Sequence, residues 1–175
     1  MKVDLVILDV DGVLTDGRKY YDINGMPFAK TYCDKDFTAI KRMKGAGVKV
    51  CFLSGDDNIN KPMAHNRNID FFYARGKDKK DFIEIFQEKY NTTADKMVYI
   101  GDDLFDCSIL SSVGHSFCPA DACLNVKEIC YPNNILTNPG GSNVVCELVE
   151  LLLARGLIAD CTFEDIENLD KMEVF

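Results

Sequence analysis

The residues best suited to chemistry are two aspartates one residue apart, Asp9 and Asp11, at the end of a short apolar run, Val3 to Leu8. Two carboxylates this close repel each other unless something positive holds them, and a hard divalent cation with oxygen ligands, such as Mg²⁺, is the usual answer. Asp11-Gly12 and Asp16-Gly17 would serve equally well as turn formers, so the pair alone leaves both readings open. Two further apolar runs end in polar residues: Val48 to Leu53 runs into Ser54-Gly55-Asp56, and Met97 to Ile100 runs into Gly101-Asp102-Asp103-Leu104-Phe105-Asp106. Between them Lys80 stands at the start of an amphipathic segment. In a parallel sheet the carboxyl ends of the strands converge on one crevice. Such a set suits phosphoryl transfer: a metal neutralises charge, a carboxylate attacks phosphorus, a hydroxyl and an ammonium hold phosphate oxygens, and a second carboxylate moves the proton.

The elements that must position these groups follow from the hydrophobic pattern. Lys19 to Tyr32 reads as a β-hairpin about Asn24-Gly25, aromatic at Tyr20, Tyr21, Phe28 and Tyr32; it could pack on another subunit or back on its own domain. Helical spacing covers Phe37 to Met43, with Gly45 and Gly47 as a stop, then about Asn60 to Asn68, Lys80 to Tyr90, a short segment at Ile109-Leu110, and Val144 to Arg155 before Gly156. Apolar strands fall at Val48–Leu53, Phe71–Tyr73, Met97–Ile100 and about Gly114–Cys118, while Pro132 to Gly141 reads as a loop. Strand, turn and helix alternate, the pattern of an α/β fold with a doubly wound, Rossmann-like parallel sheet. A single domain spanning residues 1–175 is expected, with the hairpin at about 18–32 and an acidic, weakly amphipathic C-terminal tail at about 157–175 that could dock on the domain or on a neighbour.

Composition narrows the function classes. The formal charge of −8 argues against nucleic acid or acidic lipid as the main partner, although a local cation and a few lysines could still receive a small anionic substrate. No run approaches the ~20 apolar residues of a membrane span, and the start Met-Lys-Val-Asp-Leu is unlike a signal peptide, so a cytoplasmic protein is expected. The eight cysteines form no Cys-x-x-Cys pair, and free thiols in a reducing compartment are expected. His65 and His115 join no motif and read as structural or surface residues.

Taken together, Asp9-Val-Asp-Gly-Val-Leu-Thr-Asp-Gly17, Leu53-Ser-Gly55, the lysine of Gly76-Lys-Asp-Lys-Lys80 and Gly101-Asp-Asp-Leu-Phe-Asp106 resemble the four motifs of the haloacid dehalogenase superfamily, in order and spacing. Within it the chain resembles the capless branch of 3-deoxy-octulosonate 8-phosphate phosphatases, nonulosonate 9-phosphate phosphatases and the C-terminal domain of acylneuraminate cytidylyltransferases, over about residues 3–155. The resemblance implies Asp9 as nucleophile and Asp11 as general acid and base. It implies Ser54 on the phosphoryl oxygens and Lys80, four residues after Gly76, paired with phosphate and Asp9. It further implies Mg²⁺ held by Asp9, the Asp11 main-chain carbonyl and Asp102, with Asp103 and Asp106 close behind. The plain rivals are a solvated helix start for Lys80, a turn cap for Ser54 and a helix cap for Asp106.

Substrate contacts are expected from Gly55, Asp56, Arg67 and the loop Gly140-Gly141. Asp56, with a basic residue about eleven positions on, leans toward the nonulosonate enzymes, since the octulosonate enzymes resemble Thr-Gly-Arg where this chain has Ser54-Gly55-Asp56. Two other departures are Lys35-Asp36-Phe37 in place of Arg-Asp-Gly, and Val144-Val145-Cys146 where an Arg usually follows the glycine pair. The branch excludes water from its site by forming tetramers, so a homotetramer built through the hairpin is implied. The expected function is a Mg²⁺-dependent phosphatase of a phosphorylated 8- or 9-carbon α-keto sugar acid in cell-surface sugar biosynthesis. The alternative is a non-catalytic tetramerisation or regulatory module associated with an acylneuraminate cytidylyltransferase.

Overall fold

The structure, a computed structural model, describes residues 2–174. In chain order the elements are β1 (Leu5–Leu8), β2 (Tyr20–Tyr21), β3 (Pro27–Ala29), α1 (Asp34–Gly45), β4 (Lys49–Ser54), α2 (Asn60–Asn66), β5 (Asp70–Tyr73), α3 (Phe82–Tyr90), β6 (Met97–Ile100), α4 (Cys107–Leu110), β7 (His115–Phe117), α5 (Leu124–Cys130), α6 (Val144–Ala154) and α7 (Phe163–Asp170). Five strands form one parallel sheet in the order β5-β4-β1-β6-β7, and β2 and β3 form a separate antiparallel hairpin.

The sheet is buried on both faces, which is why its strands read as unbroken apolar runs. Alternate residues of β1 serve opposite layers: Val6 and Leu8 pack with Phe37, Ile40, Val145, Leu148 and Leu152 of α1 and α6, whereas Leu5 and Ile7 pack with Phe82, Phe86, Ile109 and Val126 of α3, α4 and α5. β1 is central and pairs with β4 and β6, so Leu8 lies level with Phe52 and Ile100. This register puts Asp9, Ser54 and the segment after Gly101 at one end of the sheet.

Helix α1 runs through Gly45, and the chain turns at Gly47, whose φ is +85°. Buried Asp36 accepts hydrogen bonds from the amides of Val145 and Cys146 (2.9 Å each), satisfying donors at the start of α6. Helix α5, absent from the sequence reading, is short and has a side-chain cap at neither end. Helix α7 opens on a capping box between Thr162 and Asp165 and lies against α1 of its own domain. Ion pairs fasten this tail: Lys41 to Asp170 (2.5 Å) and Glu173 (3.2 Å), and Arg67 to Glu173 (3.0 Å). Among the described residues no helix is long and apolar enough to cross a membrane, and all eight cysteines are free thiols.

At the hairpin tip Asp22 accepts the amides of Asn24 and Met26 through one carboxylate oxygen, and Gly25 takes a φ of +75°. Tyr20, Tyr21, Ile23, Met26 and Phe28 are all more than half exposed, so most of the hairpin's apolar surface is uncovered.

Candidate active site

Asp9 is the last residue held in the sheet ladder, its amide donating to the Ile100 carbonyl at 3.1 Å. The chain then enters a tight irregular turn, Val10–Leu14, broken by extended Asp11 and by Gly12 at φ +90°. The buried Thr15 hydroxyl closes this turn, accepting the amides of Gly12 (3.3 Å) and Gly17 (3.2 Å). Gly12 has a second reason to be glycine: a Cβ there would fall 2.1 Å from Asp102 Oδ2. The close approach of the two strand-end loops thus depends on a missing side chain.

The lysine at this site is Lys79, not Lys80. Lys79 is buried, and its Nζ lies 3.1 Å from Asp9 Oδ2 and 2.6 Å from Asp106 Oδ1 while donating to the Tyr99 hydroxyl at 3.1 Å. Lys80 is exposed, and its amide donates to Asp78, whose carboxylate caps the turn Lys79–Asp81. The physical reason is periodicity: Lys79 shares a buried stripe with Phe82 and Phe86, three and seven residues on, whereas Lys80 lies on the solvent side.

Asp9, Asp102 and Asp106 bring carboxylate oxygens within 4.8 Å of one another. Asp106 is already saturated: Oδ1 takes Lys79 and the Tyr99 hydroxyl (2.5 Å), and Oδ2 takes the amides of Asp102 (3.0 Å) and Asp103 (3.1 Å). Asp102 Oδ1, in contrast, is buried with no hydrogen-bond partner. Burial, reinforced by Asp9 and Asp106, pushes the Asp102 carboxyl up to about 8. Burial likewise raises Asp9 to about 7 against the opposing pull of Lys79. Lys79 loses charge stabilisation through burial, but Asp9 and Asp106 more than restore it and hold its ammonium above the usual range. A site whose acids remain this short of positive charge fits a hard divalent cation. Of the four side chains expected at the metal, Asp9, Asp102 and Asp106 form this cluster, and Asp103 does not join it. Asp103 is exposed, and its carboxylate caps the next turn by accepting the Leu104 amide at 2.7 Å.

The Asp11 carboxylate is outside that cluster. Its Oδ2 accepts Asn60 Nδ2 at 3.0 Å, and its Oδ1 forms an ion pair with Lys30 at 2.7 Å. Asn60 Nδ2 also donates to the buried Ser54 hydroxyl at 3.0 Å, and that hydroxyl in turn accepts the Asp56 amide at 3.1 Å. Sequence reasoning named neither Asn60 nor Lys30, because their positions depend on where the hairpin meets the loop after β4.

These groups floor a cleft of about 1090 Å³ lined by Asp9, Asp11, Ser54, Lys79 and Asp102, with Gly55, Asp56, Arg75 and Lys77 at its sides and Tyr21, Met26 and Phe105 adding apolar wall. Three expected substrate contacts are not among its lining residues. Arg67 stacks on Phe37, 3.4 Å from the ring centroid, and pairs with Glu173. Gly140 and Gly141 instead pack behind the Asp11 turn: a Cβ on Gly140 would fall 2.0 Å from the Gly12 carbonyl oxygen, and the Gly141 amide donates to the Val13 carbonyl at 2.8 Å. Asp56 does face the cleft. Burial disfavours its charge, but hydrogen bonds from Lys19 (2.6 Å) and Lys30 (2.9 Å) outweigh that and bring its carboxyl down to about 2.

Residues 56–138 match the model of the haloacid dehalogenase-like hydrolases. The chain is 33% identical to a 3-deoxy-D-manno-octulosonate 8-phosphate phosphatase of Haemophilus influenzae, over 86% of this chain and 83% of that protein. It is 30% identical to the phosphatase of the same name from Escherichia coli K12, over 94% and 87%. The cobalt-bound structure of a deoxy-D-mannose-octulosonate 8-phosphate phosphatase from H. influenzae superposes with a TM-score of 0.81 at 34% identity, covering 89% of this chain and 90% of that one.

Proposed function

Because the chain belongs to the haloacid dehalogenase-like hydrolases and, with the phosphatases it matches, is a phosphoric monoester hydrolase, we propose that it is a Mg²⁺-dependent phosphatase of a phosphorylated 8- or 9-carbon α-keto sugar acid. One observation carries this reading: a buried carboxylate, Asp9, pairs with the ammonium of Lys79 and lies beside Asp102, whose Oδ1 has no partner, in an open cleft.

Asp9 attacks phosphorus, and the bond from phosphorus to the sugar oxygen breaks. The departing alkoxide takes a proton from the Asp11 carboxyl. A water then gives its proton to the Asp11 carboxylate and attacks the phosphorus of the aspartyl phosphate, releasing inorganic phosphate and restoring Asp9. Ser54 and Lys79 hold the phosphoryl oxygens throughout. When bound, Mg²⁺ neutralises phosphate charge that would otherwise repel the incoming carboxylate; the side chains of Asp9 and Asp102 and the Asp11 main-chain carbonyl would hold it. Asp106 keeps Lys79 and the Asp102 loop in place.

Both relatives named above favour 3-deoxy-octulosonate 8-phosphate as substrate. Ser54-Gly55-Asp56 supports a nonulosonate 9-phosphate as the second reading, although Arg67, which should complete that pattern, points to the C-terminal tail. Phosphate release from both sugars, with Mg²⁺ and with EDTA, decides between them, and Asp9→Asn should abolish turnover on either. A chain that releases phosphate from neither sugar is the non-catalytic module instead. The exposed aromatic hairpin supports a homotetramer, and the free thiols fit a cytoplasmic enzyme. Light scattering on Ile23→Lys, at a residue 99% exposed, tests the assembly: an unchanged particle mass removes the hairpin from the interface.

A further inference from the structure

We propose that Lys30 and Asn60 are positioning residues for Asp11, fastening the proton-transfer carboxylate to the base of the hairpin. The inference rests on the reading of Asp11 given above. The Lys30 side chain is wholly buried, and its ammonium meets three oxygens: Asp11 Oδ1 at 2.7 Å, Asp56 Oδ2 at 2.9 Å and Asn60 Oδ1 at 2.8 Å. Two of these contacts are hydrogen bonds, to Asp56 and Asn60, and the third is an ion pair with Asp11. Asn60 is full. Its Oδ1 accepts Lys30 and the Tyr32 hydroxyl (3.0 Å), and its Nδ2 donates to Asp11 Oδ2 and to Ser54, 3.0 Å each. An amide with two donors and two lone pairs all engaged cannot rotate without breaking several bonds at once.

Neither residue lines the cleft, and Asn60 has no exposed surface. A substrate therefore touches neither, and whatever they contribute passes through Asp11 and Ser54. The arrangement grips both oxygens of Asp11 from opposite partners, Oδ1 by charge and Oδ2 by hydrogen bond, which sets the direction in which the carboxyl faces the cleft. Lys30 directly follows β3, and Lys19, which pairs with Asp56 at 2.6 Å, directly precedes β2. Both ends of the hairpin are thus tied to the loop that carries the phosphate-gripping serine.

The test compares the better of the two sugar phosphates with p-nitrophenyl phosphate. A sugar alkoxide needs a proton as it leaves and a nitrophenolate does not, and kcat/KM reports only the steps up to that departure. Asp11→Asn should lower kcat/KM for the sugar phosphate by roughly 100-fold more than for the aryl ester. Lys30→Met and Asn60→Ala should each lower the sugar-to-aryl ratio by roughly ten-fold or more, with Lys30→Arg recovering part of the loss because it keeps the charge. Loss of folded protein lowers both rates together and cancels in the ratio, and Asn60→Ala carries the test should Lys30→Met fail to fold. A ratio held within roughly two-fold in the Lys30 and Asn60 variants, while Asp11→Asn shifts it, overturns the inference and leaves Asp11 in its role. A ratio unmoved by Asp11→Asn removes the role of Asp11 itself, and the inference with it.

Discussion

Lys79 and Asp106 meet at 2.6 Å beneath the Asp9 carboxylate, in a part of the protein that neither side chain could occupy alone. Removing one member of a buried, hydrogen-bonded charge pair strands the other, at a cost of about 3–5 kcal/mol. Lys79→Met should therefore lower unfolding stability by about that amount, read by urea titration, and reduce kcat by roughly 100-fold or more. Lys80→Met should leave both within experimental error, because its ammonium belongs to an exposed residue outside the cleft. The two variants side by side decide which lysine serves the site.

Metal and protons compete for the same carboxylates. Asp9 and Asp102 have folded-state values of about 7 and about 8 against 3.8 in the unfolded chain, so between pH 4 and 8 the metal-free fold binds more protons than the unfolded state. Their contribution to stability is fully present below pH 4 and is lost as pH rises through 7 and 8. Metal-free protein should melt at a higher temperature near pH 5.5 than near pH 8, and added Mg²⁺ should raise the melting temperature more at pH 8. Calorimetry in two buffers of different ionisation enthalpy should show proton release on Mg²⁺ binding at pH 7. An equal Mg²⁺ effect at both pH values would separate these carboxylates from the metal.

Gly140→Ala should behave as a folding defect of the catalytic turn. The new methyl would collide with the Gly12 carbonyl oxygen at 2.0 Å and with the Thr15 oxygen at 2.9 Å, backbone atoms that cannot swing aside. A loss of at least about 2 kcal/mol is expected, with a fall in kcat and little change in KM. A raised KM with stability intact would return this loop to the substrate.

Arg67→Met should leave KM for the sugar phosphate within roughly two-fold of the parent. The guanidinium stacks on Phe37 and pairs with Glu173, whose side chain is 6% exposed, so the cost should fall on stability, by about 1–3 kcal/mol. Differential scanning calorimetry and initial rates on one preparation separate the two effects. A tenfold rise in KM would put Arg67 at the substrate.

What the sequence disclosed was what local order controls. The apolar runs that became β1, β4 and β6 each deliver a polar residue to the same sheet edge, and so Asp9, Ser54 and Asp102 could be named before any fold was known. Lys79 was legible through its spacing to Phe82 and Phe86 but was obscured by the lysines around it. Asn60 and Lys30 could not be read, since nothing near either in the chain announces that a hairpin base will meet the end of another strand. Arg67 misled for the converse reason: its spacing from Asp56 suited a pair of substrate contacts, but a C-terminal glutamate more than a hundred positions away claimed it. Helix α5 escaped because seven residues with a side-chain cap at neither end leave too little pattern to detect.

The position of β1 at the middle of the sheet also governs the order of events during synthesis. The strand leading into Asp9 is made before its neighbour β6, whose Ile100 carbonyl receives the Asp9 amide, and about ninety residues separate the two. Closing so long a loop between parallel strands is slow. β1 can pair with β4 on one side early, but its other side waits for β6, and the acidic cluster, which needs Asp102 and Asp106, forms only then. An arrested chain ending before Lys79 would thus carry Asp9 without the buried ammonium that pairs with it.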